Sequence, residues 1–459
     1  MSSPAPTTTR TFVTELKGLL PAPDATRSAA RELVLDVLGV GIAGSRTEEG
    51  RTVLQTMSAL RSPGTSPVIG SEKRFDVATA ALVNGTMAYS LGLTDTHSQS
   101  ITHPGCSVVA TALGLGAETD ADDDAILDAI VAGVEMVVRV GGVVNPSHRA
   151  RGFHPTATCN PFGTALTASM LLGASSEQTL DALGIAGSSA GGLYEFRNAG
   201  GMLMALHGGL PAHSGIVAAL LARGGFTGPD TVLEGPEGFF AAFADDIRLE
   251  QLALPGAGAP MGVQELSLRP YNACRYAHSG IDALAAIEAA HGRVDPEQVH
   301  ALTVFTHRVA VEQECEPATL VAARLSTAFT IASTYVNGPS LTALSQDDLA
   351  DERILRLYQR VAVREEPRLT EMFPRVWASR VVLETTDGRT FEAEVHTPKG
   401  EPTNPLTRAD LVDKFRRLAE PVLGAARTDE VVSAVLDATA PLSGVLSTLS
   451  TSAPSSKEA

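Results

Sequence analysis

The sequence predicts a mainly α protein, in which a large all-helical domain is joined to a smaller α+β domain. Apolar residues follow the 3.6-residue spacing of amphipathic helices over most of residues 24–248. After Gly262 the pattern changes, and alternating apolar runs indicate strands. Helical spacing returns near residue 407. We therefore expect an all-helical domain over 12–265, completed by 405–443, and an α+β domain over 266–400.

The helical region divides into separate amphipathic segments. In the first segment Leu33, Val37 and Leu38 share one face, and Asp24 or Thr26 can cap its N-terminus. Further helices are predicted over residues 77–91, 125–140, 162–172, 176–188 and 211–223.

Strand and helix patterns alternate in the α+β region. Strands are predicted over 299–309 and 361–365. Residues 379–386 and 390–397 are predicted to form a hairpin, because Asp387-Gly388 between two alternating runs is a strong turn signal. Helices are predicted over 280–291 and 319–335, and the last two over 407–418 and 429–436.

Composition excludes several classes of protein. The 459 residues include 35 Lys and Arg against 52 Asp and Glu, without a Lys/Arg-rich run, so no nucleic-acid partner is expected. No apolar run approaches the ~20 residues that cross a bilayer, and the first ten residues do not resemble a secretory signal. A cytoplasmic protein without a membrane partner is predicted, with flexible tails at 1–11 and 444–459. The widely spaced cysteines fit reduced thiols and no structural zinc: Cys106, Cys159, Cys274 and Cys315.

A glycine motif near the N-terminus matches the dinucleotide fingerprint only in its spacing. Gly39, Gly41 and Gly44 fit G-x-G-x-x-G, but an amphipathic helix precedes them instead of a strand. The acidic residue expected roughly 20 positions later is also missing. These glycines therefore indicate the last turn of a closely packed helix, and no nucleotide cofactor is expected.

A polar segment before a predicted helix carries the first candidate catalytic residues. Asp95 and Thr96 lie shortly before His103, and Pro104 suits the first turn of the following helix. The positive end of a helix dipole disfavours imidazolium, so a histidine placed there can act as a neutral base. A capping or core role for His103 is the alternative.

Two further segments combine cations with histidine. Arg149 and Arg151 precede His154, and two guanidinium groups on one loop can bind a carboxylate through paired hydrogen bonds. A solvated loop is the alternative. A Gly-rich approach leads to His207, again at a predicted turn.

The predicted domain boundary carries a third cluster. Its polar tips come from Arg269, Tyr271, Arg275, Tyr276 and His278, and ligand clefts tend to form at such boundaries. Histidine pairs six residues apart do not have metal-ligand spacing, so no metal is expected.

Taken together and in this order, these segments resemble the MmgE/PrpD family of carboxylate dehydratases, decarboxylases and epimerases. The likeness covers nearly the whole chain and includes LVLD at 33–36, LH at 206–207, GFTGP at 225–229 and CRYAH at 274–278. It implies the two domains predicted above, a homodimer, and a metal-free and cofactor-free site between the domains.

The resemblance also assigns individual residues. His103 and His154 match the family's active-site histidines, and Asp95 and Thr96 match the end of its Asp-rich loop. A pocket lined by His103, His154, Arg269 and His278 is expected, with Tyr276 as a candidate acid. The residues expected to contact substrate are Thr96, Arg151, His207, Arg269, Arg275 and His278.

Three positions depart from the family pattern. Gly92 replaces the loop's leading aspartate, Met204 replaces a lysine, and Arg269 replaces another lysine. An arginine keeps the charge but does not release its proton near neutral pH.

The expected activity is a dehydratase-like lyase reaction, in which His103 or His154 removes a proton α to a carboxylate of a small di- or tricarboxylate. Reprotonation of the carbanion would instead give an epimerase or isomerase, and the loss of the aspartate and the lysine adds weight to this outcome. A specialised biosynthetic enzyme with an unusual substrate, or an inactive dimeric scaffold, remains as a further alternative.

Overall fold

The computed structural model describes residues 8–60, 62–256, 258–338, 344–373 and 375–450. The chain forms two compact units. The first combines the chain up to Leu268 with the segment from Arg408 onward, and the second is Arg269–Thr407.

The N-terminal part of the first unit is almost entirely helical. A short antiparallel pair, β1 (Ser66–Pro67) and β2 (Arg74–Phe75), interrupts it. The helices are α1 (Thr8–Gly18), α2 (Asp24–Gly44), α3 (Glu48–Leu60), α4 (Val77–Ser90), α5 (Gly105–Thr119), α6 (Asp123–Val144), α7 (Ser147–Ala150), α8 (Pro155–Leu171), α9 (Ser176–Ser188), α10 (Phe196–Ala199), α11 (Leu203–Arg223) and α12 (Phe239–Phe243).

The second unit is an α+β layer built on one mixed sheet. The strands are β3 (Val299–Thr306), β4 (Val361–Glu365), β5 (Ser379–Thr385) and β6 (Thr390–Val395), in the order β4-β3-β5-β6. Only β3 and β4 run parallel within this sheet. The helices are α13 (Arg275–His291), α14 (Arg308–Glu312), α15 (Leu320–Leu325), α16 (Thr327–Asn337), α17 (Gln346–Ala350), α18 (Glu352–Tyr358) and α19 (Pro367–Met372).

Three helices after the sheet return to the first unit: α20 (Arg408–Leu423), α21 (Ala425–Leu436) and α22 (Leu442–Thr448). The predicted fold class, mainly α with an α+β region, is confirmed. Helices α1 and α22 each overlap part of a segment that was predicted to be a flexible tail. Both helices are ordered against the unit, because they bury apolar residues such as Phe12 and Val445. Residues 1–7 and 451–459 lie outside the described residues.

Helix α11 is longer than predicted. It begins at Leu203 and continues through Pro211, which the sequence analysis took as a helix start. Among the described residues it is the one helix long and apolar enough to cross a membrane, but about half of it is buried against its neighbours. It packs most closely on α4, where a side chain at Gly209 would overlap the Leu82 carbonyl oxygen. We therefore describe α11 as a core helix.

The glycine motif of α2 serves close packing. All three glycines lie inside the helix, and a Cβ added at Gly39 would lie 2.9 Å from the Phe415 ring on α20. A Cβ at Gly44 would overlap the Met87 carbonyl oxygen on α4. The motif lies within the last turns of a packed helix, as predicted.

The predicted helix over 319–335 is two helices. The Ser326 hydroxyl accepts a hydrogen bond from the Phe329 N–H, so that Ser326 caps α16 and ends α15. A serine side chain that captures the first N–H groups of a helix favours such a break.

Candidate active site

Helix α8 holds the two candidate histidines in one part of the first unit. His154 is the residue before Pro155, which starts α8. The main chain of His103 is bound by the same helix, because its N–H donates to Thr156 Oγ1 (3.2 Å) and its carbonyl accepts from Asn160 Nδ2 (3.0 Å). The positions of the two rings are therefore coupled through α8.

The ring of His103 has a defined orientation. Its Nδ1 lies 2.7 Å from the Asp95 carbonyl oxygen and 3.3 Å from Thr96 Oγ1. A carbonyl oxygen can only accept, so Nδ1 carries the hydrogen. In the neutral ring Nε2 is then the unprotonated nitrogen, which is the form that a general base needs.

The Asp95 carboxylate lies against the start of α5. Its side chain is fully buried, and Oδ2 accepts a hydrogen bond from the Gly105 N–H at 3.0 Å. A carboxylate at a helix N-terminus is stabilised by the unpaired N–H groups and by the dipole. This contact gives Asp95 a positioning role for the loop that carries His103, while the predicted catalytic role of its carboxylate stays a prediction.

His154 and His207 form a buried pair. Their Nδ1 atoms are 2.8 Å apart, so one donates and the other accepts. Burial lowers the pKa of His154 well below its usual value, and the charges of His207, His103 and Arg149 act in the same direction. Burial also lowers the pKa of His207 to about 4. Both imidazoles are therefore neutral near pH 7, and His207 orients His154.

Tyr89 completes this cluster, although the sequence analysis did not select it. Its hydroxyl lies 3.4 Å from His154 Nε2, and its ring centre lies 5.3 Å from that of His103. Tyr89 stands in the last turn of α4 among apolar residues, a context that indicates core packing. The close packing of α4 on α11 brings it to the histidines. We refer to Tyr89, His103, His154 and His207 as the histidine cluster.

A polar cleft lies beside the histidine cluster. The ring of Tyr194 is 5.1 Å from the ring of His154, and the guanidinium of Arg149 lies 3.5 Å above the Tyr194 ring centre. The cleft has a volume of about 530 Å³. Arg151 also lines it, but its guanidinium pairs with Asp245 at 3.2 Å. The remaining lining residues are Gly152, Leu193, Glu195 and Arg197.

Two of the three departures from the family pattern lie together. A Cβ built at Gly92 would lie 3.6 Å from Cε of Met204. Gly92 has φ of +63°, a left-handed conformation that a non-glycine residue adopts only with strain. The terminal methyl group of Met204 therefore lies beside the main chain of Gly92. At these two positions the family pattern would have a lysine amine and an aspartate carboxylate.

The remaining predicted residues belong to the second unit. Arg275 is buried, forms an ion pair with Glu401 and lies over the Trp377 ring, 5.1 Å from its centre. Burial lowers the pKa of Arg275 to about 9, and the charge of Arg269 adds to this effect.

Tyr276 and His278, on the same helix, α13, are held by contacts within the second unit. The Tyr276 ring packs edge-on against His307, with ring centres 4.9 Å apart. His278 is fully buried, and its Nε2 lies 3.2 Å from the Ala273 carbonyl oxygen. Their roles in catalysis and binding stay predictions.

No group of three or more His, Cys, Asp or Glu side chains in the described residues has the arrangement of a metal site. The four members of the histidine cluster include only nitrogen and phenol groups, and two of the nitrogens are already paired with each other.

The chain is similar to known proteins over most of its length. Three relatives share 26–27% identity with this chain: the cis-aconitate decarboxylase-like protein oryM of Aspergillus oryzae, and the cis-aconitate decarboxylases of Aspergillus terreus and Homo sapiens. The matches cover 93%, 89% and 90% of this chain and 92%, 88% and 88% of the relatives, respectively. The model of the MmgE/PrpD N-terminal domain matches residues 11–252, and that of the C-terminal domain matches 271–438. The chain therefore belongs to the MmgE/PrpD family.

Proposed function

We propose that this protein is a cofactor-independent lyase that removes a proton α to a carboxylate of a small di- or tricarboxylate. The observation that carries the proposal is the orientation of His103, whose Nδ1 hydrogen is held by the Asp95 carbonyl oxygen. This leaves Nε2 as the basic nitrogen, next to a phenol and a second neutral imidazole.

The proposed reaction is an elimination. His103 Nε2 takes the α proton, the electron pair forms a carbon–carbon double bond, and the β-hydroxyl leaves as water after it takes a proton from Tyr89 Oη. The proton on His103 and the phenolate of Tyr89 return to their starting states through solvent. General acid–base groups of this kind typically contribute roughly 10²–10⁴-fold each.

A carboxylate of the substrate requires a cationic contact. We propose Arg149 for this role, in addition to the predicted arginines Arg151, Arg269 and Arg275. Arg149 is held against Tyr194, and its charge contributes to the lowered pKa of His154. A guanidinium that is already ordered loses little rotamer freedom when it binds a carboxylate.

Decarboxylation is a second candidate, because the relatives named above act on cis-aconitate. In that reaction the bond to a carboxylate carbon breaks, CO₂ leaves, and the resulting carbanion takes a proton. Within the histidine cluster the proton donor would be Tyr89. Epimerisation is the third outcome, and the loss of an amine and a carboxylate at Met204 and Gly92 favours it, since it requires only proton removal and return.

The test is an assay of the purified protein in D₂O with three probes: 2-methylcitrate, cis-aconitate and a non-hydroxylated dicarboxylate, succinate. Loss of water identifies a dehydratase, release of CO₂ identifies a decarboxylase, and deuterium incorporation alone identifies the proton removal and return that an epimerase requires. If none of these probes reacts or exchanges, the proposal is overturned in favour of the scaffold.

We also propose that the protein forms a homodimer through the exposed face of α11. Leu203, Leu210 and Leu221 lie at spacings of 7 and 11 residues and therefore share one side of the helix. Each exposes about two-fifths of its surface (42%, 42% and 41%). Because a two-fold axis brings the same patch of both subunits together, an uncharged leucine face can pack against its own copy. We refer to these three residues as the α11 stripe.

A further inference from the structure

A lysine on helix α20 is buried inside the first unit. Lys414 has 1% of its surface exposed, and its partner Asp36 on α2 has 2%. Lys414 Nζ lies 2.5 Å from Asp36 Oδ1 and donates to the Leu93 carbonyl oxygen at 3.0 Å. The ammonium therefore connects two helices and one loop of the first unit.

The loop that Lys414 binds is the one that orients His103. Leu93 is fully buried and stands two residues before Asp95, whose carbonyl oxygen accepts from His103 Nδ1. Two residues span at most about 7 Å of chain, and Leu93, Thr94 and Asp95 are all buried, so the Leu93 and Asp95 carbonyl groups belong to one short, packed stretch of the loop. On the other side of Asp95, its carboxylate is bound to the start of α5.

Burial of the Lys414–Asp36 ion pair requires both charges to lose their hydration, which is unfavourable. Its desolvation often offsets its attraction, and well-packed apolar residues of the same volume can be equally stable or more stable. An ammonium differs from such residues because it can donate several hydrogen bonds at once. In this case one of them goes to a main-chain carbonyl of the site loop.

We propose that Lys414 is a positioning residue for His103. By holding the Leu93 carbonyl, it fixes the loop whose Asp95 carbonyl selects the Nδ1–H tautomer of the His103 ring. The consequence for turnover rests on the proposed role of His103 as the base. The consequence for the tautomer does not depend on that role.

The test uses Lys414→Met, which keeps an unbranched side chain only one heavy atom shorter and removes its donors. We expect kcat on the reacting probe to fall about 10- to 100-fold with KM changed by less than about threefold, since small misplacements of a catalytic group have effects of this size. We also expect the ¹⁵N signals of His103 to change from those of a single Nδ1–H tautomer to those of a mixture. The signals are assigned by their absence in His103→Ala.

Two further variants keep the test decisive. Asp36→Asn combined with Lys414→Met removes the buried carboxylate charge that Lys414→Met alone would leave without its ammonium, and it must give the same His103 signals as Lys414→Met. Lys414→Arg retains a donor and a positive charge, and it must restore part of the lost kcat.

Arg31→Met is the matched control. Arg31 also lies on α2, and it joins a carboxylate, Asp123 (2.7 Å), to a main-chain carbonyl of the C-terminal segment, Val435 (3.0 Å). Neither of these two partners belongs to the loop of Leu93. We expect Arg31→Met to lower thermal stability and to leave kcat and the His103 signals unchanged.

The inference is overturned if folded Lys414→Met, alone or combined with Asp36→Asn, keeps the His103 tautomer, or if Arg31→Met alters it equally. Absence of turnover in the wild-type protein would count against the proposed function alone, because the NMR measurement still decides the role of Lys414.

Discussion

At the scale of single residues, the main chain determines which nitrogen of His103 is basic. The His103 ring donates to the Asp95 carbonyl oxygen, which can only accept a hydrogen bond. A hydroxyl group, or a carboxyl group that gains a proton, could act as a donor as well. The basic nitrogen is thus set by the loop conformation and not by a titrating partner. Replacement of His103 should therefore remove the proposed base, together with one of the smaller influences that lower the pKa of His154.

We predict that His103→Ala lowers turnover and α-proton exchange by roughly 10²–10⁴-fold, the usual contribution of a general base. The measurement is deuterium incorporation, followed by mass spectrometry. His213→Ala is the matched control, because His213 is a half-buried histidine on α11 for which burial also lowers the pKa. Equal losses in both variants would show that the effect is structural.

The neutral state of His207 predicts how stability depends on pH. Its pKa in the folded protein is about 4, below the usual value of 6.5. Between these values the unfolded chain binds more protons than the folded one, so the free energy of unfolding falls as the pH is lowered from about 6.5 to about 4. His207→Gln should make this dependence shallower.

The measurement is urea unfolding at several pH values across that range. His291→Gln serves as the control, since His291 lies at the exposed end of α13 and should leave the slope unchanged. A slope that stays the same in His207→Gln would contradict the neutral state of this residue.

At the scale of elements, the sequence predicts structure well where signals are local. Ser176–Ser188 is found as predicted, with a capping box formed by Ser175 and Gln178. The hairpin is also found, with Gly388 at φ of +84°. These features depend on neighbouring residues alone, so a linear pattern is sufficient to identify them.

Tertiary packing explains where the predictions were incomplete. Helices α8 and α11 begin earlier than predicted, and both continue through an interior proline, Pro161 and Pro211. In the site, His103 and His154 could be selected because each lies beside a proline near a helix start. Tyr89 could not, since its place in the cluster depends on the contact between α4 and α11, which are distant in sequence.

That contact gives a prediction about helix packing. A side chain at Gly209 would lie 2.1 Å from the Leu82 carbonyl oxygen and 2.3 Å from Thr86 Oγ1. We expect Gly209→Ala to force the helices apart and to reduce the free energy of unfolding by about 1–3 kcal/mol, as overpacking typically does. Because Tyr89 lies on α4 and His207 on α11, turnover should fall as well.

Gly444→Ala on α22 is the matched control for this change. Gly444 has no heavy atom near the position of an added Cβ, and its helix gains from alanine. The free energy of unfolding of the Gly444→Ala protein should therefore rise by up to about 1 kcal/mol. Urea denaturation measures both variants, and equal effects would contradict the packing argument.

At the scale of the whole molecule, the first unit is discontinuous in sequence. Helix α20 returns after the second unit and places Phe415 against Gly39, and Lys414 against Asp36. The end of the chain thus contributes to the environment of a loop near its beginning. A truncation after residue 407 is therefore expected to damage the first unit and not only to shorten the protein.

The surface of the first unit gives the last prediction, which concerns assembly. Helix α11 has the length and the hydropathy of a membrane-spanning helix, but about half of it is buried in the core of the first unit. The other side carries the α11 stripe, and exposed apolar faces of this kind usually mark a contact with another molecule. A charge placed in the middle of the stripe would be buried without a partner in a two-fold interface, at a cost of several kcal/mol. We therefore expect Leu210→Asp to convert a dimer into a folded monomer, measured by light scattering during size-exclusion chromatography.

Leu60→Asp tests the same substitution outside the stripe. Leu60 ends α3 and is 66% exposed, so a charge there should leave both the mass and the fold unchanged. A wild-type protein that is monomeric at every concentration would contradict the homodimer. If the Leu210→Asp variant remains dimeric, the interface lies on another face of the protein. The reason is that a buried aspartate at the centre of a leucine contact would weaken the dimer.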